Sequence, residues 1–122
     1  MTSDARTTLG RLGEQLAAEH FARLGWAILA RNYRTRYGEL DLVAAAADTL
    51  VFAEVKTCRA GRGRPWDSLH DLKRAQVRRL GSVWLAEVRP RPYFLALRFD
   101  AVGVVVDEGD RLVRLDHLRG AF

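Results

Sequence analysis

The chain has 122 residues, 48% hydrophobic and 29% charged, which fits one globular domain over residues 1–122 that buries about two-thirds of its chain surface, and excludes a disordered polymer. No apolar run reaches the length of a membrane span, the opening ten residues carry Asp4 and no apolar core, and a lone cysteine, Cys58, excludes an internal disulfide and a zinc site on paired cysteines. A cytoplasmic protein with no membrane partner is expected, and the 20 Lys+Arg against 15 Asp+Glu, nearly all of the excess arginine, favour a polyanion such as nucleic acid.

In chain order, residues 1–7 are expected to be a flexible lead-in to a helix over 8–24. Leu9, Leu12, Leu16, Ala17, Phe21 and Leu24 form its apolar stripe, and Gly25 stops it. Gly10 and Gly13 are poor helix formers, and their use is to let the helix press against a neighbouring backbone and bring Glu14 toward it. By spacing alone Glu14 reads as a solvated acid. A strand over 26–33 follows, and Arg31, Arg34 and Arg36 cluster just ahead of the stretch GELDLVAAAADTLVFAEVK, Gly38 to Lys56.

There, Leu40, Leu42 and Val43 make one strand and Leu50 to Val55 another, with Ala47-Asp48 as a two-residue turn. A hairpin centred on that turn sets Asp41 opposite Glu54 and Glu39 opposite Lys56, all four on one side of the sheet because side chains alternate. Carboxylates so opposed have Cβ atoms about 5 Å apart and repel, so they require a cation or a shared proton. Mg²⁺ or Mn²⁺ held by Asp41 and Glu54 meets that need, with the Lys56 ammonium in reach of a phosphate or an attacking water.

The next segment, TCRAGRGRPWDSL, reads as a basic loop whose Arg59, Arg62 and Arg64 clamp a nucleic-acid backbone beside the carboxylates; the plainer reading is a solvated turn. Asp67 or Ser68 caps a second helix to about Val88. Leu69, Leu72, Leu80, Val83 and Trp84 point inward, and Lys73, Arg74, Arg78 and Arg79 continue the basic surface. Trp84 lies on the apolar stripe and reads as core. The Arg-Pro-Arg-Pro run at 89–92 ends the helix. Residues 93–106 are strand material with Asp100 as a structural acceptor, Glu108-Gly109-Asp110 is a break, and 111–115 form a last strand. The expected nucleic-acid face comprises Arg34, Arg36, Arg59, Arg62, Arg64, Lys73, Arg74 and Arg78.

Taken in order, Gly13-Glu14, Gly38-Glu39-Leu40-Asp41-Leu42-Val43, Val51-Phe52-Ala53-Glu54-Val55-Lys56, Arg98-Phe99-Asp100 and the closing Ala121-Phe122 resemble the YraN-like family of uncharacterised bacterial proteins. That family lies within the PD-(D/E)XK nuclease superfamily, whose plan archaeal Holliday-junction resolvases share. The resemblance covers almost the whole chain. It implies an α/β, restriction-endonuclease-like αβββαβ core with a central mixed sheet flanked by helices. It further implies catalytic roles: Asp41 and Glu54 as ligands of Mg²⁺ or Mn²⁺, Lys56 as the group that orients the attacking water, and Glu14 as an accessory acid. Glu39 joins the same catalytic set. The sequence departs from the pattern in having Leu40 where the superfamily has proline, and Lys56-Thr57-Cys58 where relatives often have Lys-x-Arg.

Three functions compete. The first is a metal-dependent endonuclease cutting phosphodiester bonds, with DNA favoured over RNA, branched DNA among the substrates, and a homodimer suited to a symmetric junction. The second is a nucleic-acid-binding protein that keeps the nuclease fold without turnover. The third is a partner-binding module in which Glu39, Asp41, Glu54 and Lys56 form a salt-bridge network. Metal affinity separates the first from the third, and turnover separates it from the second. No P-loop, Rossmann glycine pattern, nucleophile elbow or zinc-protease motif is present.

Overall fold

The two apolar helix stripes cover opposite faces of one sheet in a computed structural model that describes residues 3–68 and 71–122, with backbone only at 3, 68 and 71–74. The elements are α1 (Ser3–Arg23), β1 (Ala27–Thr35), β2 (Gly38–Ala46), β3 (Thr49–Arg59), a 3-10 turn (Pro65–Ser68), α2 (Asp71–Glu87), β4 (Ala96–Val106) and β5 (Leu112–Leu118). The strands lie in sequence order. β1, β2 and β3 form an antiparallel meander, β4 runs parallel to β3 after the α2 crossover, and β5 returns antiparallel. This is the mixed sheet between helices expected of a restriction-endonuclease-like core.

On one face Leu9, Ala17, Ala18 and Phe21 of α1 pack on Leu42, Ala44, Val51, Ala53, Val55 and alternate valines of β4. On the other, Val77, Leu80 and Trp84 of α2 pack on Leu40, Val43, Leu50, Phe52 and Phe99. β3 is covered on both sides, which is why its sequence is nearly continuous in apolar residues instead of alternating. Trp84 is a core residue as expected, edge-on to Phe52 with ring centroids 5.6 Å apart.

Several boundaries differ from the sequence reading. α1 starts at Ser3 with Asp4 in its first turn, where a carboxylate complements the helix dipole. It ends one residue before Leu24, which is exposed, and Gly25 closes it with a φ of 93°. The Asp67 carboxylate accepts the Arg64 N–H at 3.0 Å and thereby closes the 3-10 turn, four residues before α2 begins at Asp71. Val77 joins the inner stripe, while Leu69 lies outside the described residues and Leu72 outside the described side chains. β4 starts at Ala96, leaving Tyr93 and Leu95 exposed.

Of the two helix glycines, only Gly13 makes the close approach expected of both. A Cβ there would fall 1.7 Å from Thr57 Oγ1 and 2.7 Å from Thr57 Cβ, whereas Gly10 has nothing within 4 Å. Rotating Thr57 cannot relieve a clash with its Cβ, so Gly13→Ala is expected to destabilise the fold by about 1–3 kcal/mol. Gly10→Ala is expected to stabilise it by up to about 1 kcal/mol. Urea unfolding of the two variants checks the pair, and a Gly13→Ala midpoint at or above the parent's would refute the contact.

Candidate metal centre and basic surface

β2 and β3 pair in the expected register from Ala46↔Thr49 to Leu42↔Ala53. One step further the seam opens: the Asp41 carboxylate itself accepts the Val55 N–H at 2.8 Å, in place of a ladder bond. The neighbouring strand is irregular at the same level. Asn32 stands between the pairs Arg31↔Leu42 and Tyr33↔Leu40 with a φ of 51°, a left-handed conformation that asparagine tolerates. Its side-chain amide donates to Glu14 Oε1 at 2.6 Å. Alternation along β2 slips at the same place, since Leu40 and Val43 pack toward α2 but Leu42 and Ala44 toward α1. Such a slip places two successive side chains on one face, and Asp41 turns with Glu39 toward Glu14 of α1.

The result corrects the expected row of four residues on one side of the sheet. Carboxylate oxygens of Glu14, Glu39 and Asp41 all lie within 4.8 Å of one another. Glu39 is not set against Lys56; it pairs with Arg11 at 2.8 Å and with Arg34 at 3.6 Å. β3 runs unbroken beside β4 from Thr49↔Ala96 to Arg59↔Val106, so its alternation puts Glu54 and Lys56 on the face of Leu50 and Phe52. There Lys56 Nζ lies 3.2 Å from Glu54 Oε1. The compact acid group is therefore Glu14, Glu39 and Asp41, with Glu54 flanking Asp41 across the opened seam.

The electrostatics follow from this crowding. Burial, then the Glu54 charge, then Glu14 push the Asp41 carboxyl up to about 9 against the opposing Val55 N–H bond. The Arg11 guanidinium holds Glu39 below the usual carboxylate range. Arg11 also bonds Glu14 at 2.9 Å. Neither Arg11 nor Asn32 was singled out from sequence. Arg11 could have been, since it precedes Glu14 by three residues on a helix, the spacing of a facing ion pair. Three carboxylates converging on one point supply hard oxygen donors of the kind Mg²⁺ or Mn²⁺ takes.

The basic residues divide by what they touch. Arg34 is 80% exposed beside Glu39. Arg36 and Arg79 lie over the Tyr37 ring at 4.9 and 4.8 Å, so the β1–β2 turn and α2 share one cationic patch. Arg79, on the basic face of α2 that the sequence indicates, is brought to that turn by the fold. Arg59 is held by the β4–β5 loop, its Nη1 bonding the Asp107 carbonyl at 2.7 Å and Asp110 at 2.9 Å, so part of its donor set is already used. Arg62 pairs loosely with Glu108 at 3.6 Å, and Arg64 is exposed. Arg78 donates to the Phe122 carbonyl at 2.7 Å and covers the Phe99 ring, so it fastens the C-terminal segment. Lys73 and Arg74 lie outside the described side chains. Asp100 is a structural acceptor: burial pushes its carboxyl up, but bonds from His117, Arg98 and the Gly120 N–H outweigh it and hold the group low.

Residues 13–104 match a family described as "Uncharacterised protein family UPF0102". A "UPF0102 protein" of Acidothermus cellulolyticus is 43% identical over 130 residues, covering 99% of this chain and 98% of that relative. One of Nocardia farcinica is 46% identical, over 96% of this chain and 91% of the relative, and one of Parafrankia sp. is 49% identical, over 93% and 95%. The matched segment contains Glu14, Glu39, Asp41, Glu54 and Lys56. Among the described residues no helix is long and apolar enough to cross a membrane.

Proposed function

The chain belongs to the uncharacterised protein family UPF0102, and from its acid group we propose that it is a metal-dependent endonuclease of nucleic acids, DNA favoured over RNA. The single observation that carries this reading is the convergence of Glu14, Glu39 and Asp41 within 4.8 Å at a seam whose other strand bears Glu54 and Lys56. Mg²⁺ or Mn²⁺ at Glu14, Glu39 and Asp41 would supply Lewis acidity and a water acidified for attack. The chain's own groups have separate tasks. Asp41 must give up a proton before it can act as a ligand, which couples cation uptake to pH. Glu54 fixes the Lys56 ammonium by their 3.2 Å pair on the α2 side of β3, from where its compact charge has to act on the reacting phosphate through the seam opened beside Asp41. Arg34, Arg36 and Arg79 lie along the β1–β2 turn and α2, where they can bind the backbone of the strand to be cut.

The experiment is incubation with labelled linear, flapped and four-way DNA and structured RNA, with and without Mn²⁺. Cleavage should require the ion. A second reading, binding without turnover, is favoured by Arg11, which already pairs with two of the three acids. Binding with no cleavage of any substrate in either ion would decide for it.

A further inference from the structure

We propose that Arg11 is a built-in counter-ion which a divalent cation must displace, so that this one guanidinium sets the affinity of the acid group for metal; the inference rests on the metal-dependent reading above. Arg11 Nη1 lies 2.9 Å from Glu14 Oε1 and 2.8 Å from Glu39 Oε1, and Nη2 lies 3.4 Å from Glu39 Oε2. It thus occupies oxygens of two of the three carboxylates that an incoming ion would need. The acids are the fixed partners and the arginine the movable one: its side chain is 44% exposed, against 12% for Glu14 and 25% for Glu39.

Both acids keep a holder when Arg11 leaves. Asn32 bonds Glu14 at 2.6 Å, and Arg34 stands 3.6 Å from Glu39. There is also somewhere to go. Thr7, Gly10, Arg11, Glu14 and Glu39 line an open cleft of about 210 Å³, and nothing crowds Gly10, one residue before the arginine. Displaced into that cleft, the planar fork is free to take a phosphate in two parallel bonds. Metal uptake then converts an internal ion pair into a substrate contact.

The test is calorimetric titration of the full chain with Mn²⁺, comparing the parent with Arg11→Gln, Arg11→Lys and Arg34→Gln. Arg11→Gln should bind Mn²⁺ about tenfold more tightly, the scale of losing two partly exposed ion pairs as competitors. Arg11→Lys should stay near the parent. Arg34→Gln, which removes the same charge from a looser pair, should gain less than about twofold. An Arg11→Gln isotherm no tighter than the parent's, or an equal gain in Arg34→Gln, overturns the inference while leaving the metal site in place. Absence of Mn²⁺ binding from every variant, Arg11→Gln included, overturns the metal-dependent reading and this inference with it.

Discussion

Replacing Lys56 by Ala is expected to cut phosphodiester cleavage by about 10²- to 10³-fold, the scale of one preorganised electrostatic group, while weakening affinity for DNA only a few-fold. The asymmetry comes from where the lysine sits. Its side chain is 23% exposed and held 3.2 Å from a carboxylate that is only 7% exposed, so it is a placed charge, not one of the mobile cations that supply general attraction for a polyanion. Lys56→Arg should not rescue the rate, because a planar guanidinium cannot occupy the position of a compact ammonium. Removing Lys56 also deprives Glu54 of that pair, at a cost of about 1–3 kcal/mol in stability, so the variant is first verified as folded by circular dichroism. A folded Lys56→Ala protein that cleaves at the parent rate would remove the lysine from the chemistry.

Asp41→Asn is expected to change the pH dependence of stability as well as to abolish metal binding. The native carboxyl is raised to about 9 while the unfolded one titrates near 4. Between those values the native state holds a proton that the unfolded chain has lost, so the contribution of this group to stability is complete at low pH and declines as pH rises toward 9. The slope is at most about 1.4 kcal/mol per pH unit. Asparagine carries no such charge, and the variant should therefore gain on the parent steadily from pH 5 to pH 8 in denaturant unfolding without metal. Parallel stability curves for the two proteins would show that Asp41 is ionised in the apo fold. Saturating Mn²⁺ should reverse the order, since only the parent gains binding energy from the ion.

The sequence carried the fold further than the site. Apolar runs, alternation and period-3.6 patterns located two helices, three strands between them and two or three after the second, and the Ala47-Asp48 turn specified the β2–β3 register correctly as far as Leu42↔Ala53. It did not reveal where that register stops. Strict alternation from the turn puts Asp41 against Glu54, and the slip that breaks alternation lies beside Asn32 in β1, a residue no hairpin rule for β2 and β3 consults. The same limit hid the role of Glu39, which needs α1 in place before Arg11 can reach it. Gly13 was legible as a close-approach residue because helical glycine is costly without a reason; Gly10 carried the same signal and has no such contact. Arg59 looked available in a glycine-rich loop, yet its partners, Asp107 and Asp110, lie about fifty residues away in sequence.

The strand order has a bearing on how the chain is made. Turns of two residues join β1 to β2 and β2 to β3, but the partner of Thr49 on the other edge of β3 is Ala96, beyond the whole α2 crossover. Short loops close at small entropic cost and long ones later. During synthesis the meander and α1 are therefore complete while β4 has yet to leave the ribosome. In that interval β3 presents a bare edge beside an apolar face of Leu50 and Phe52, a combination that invites pairing with other nascent chains. The bulky crossover that builds the second face is thus also what sets the length of this vulnerable window, and slow translation of residues 60–95 would lengthen it.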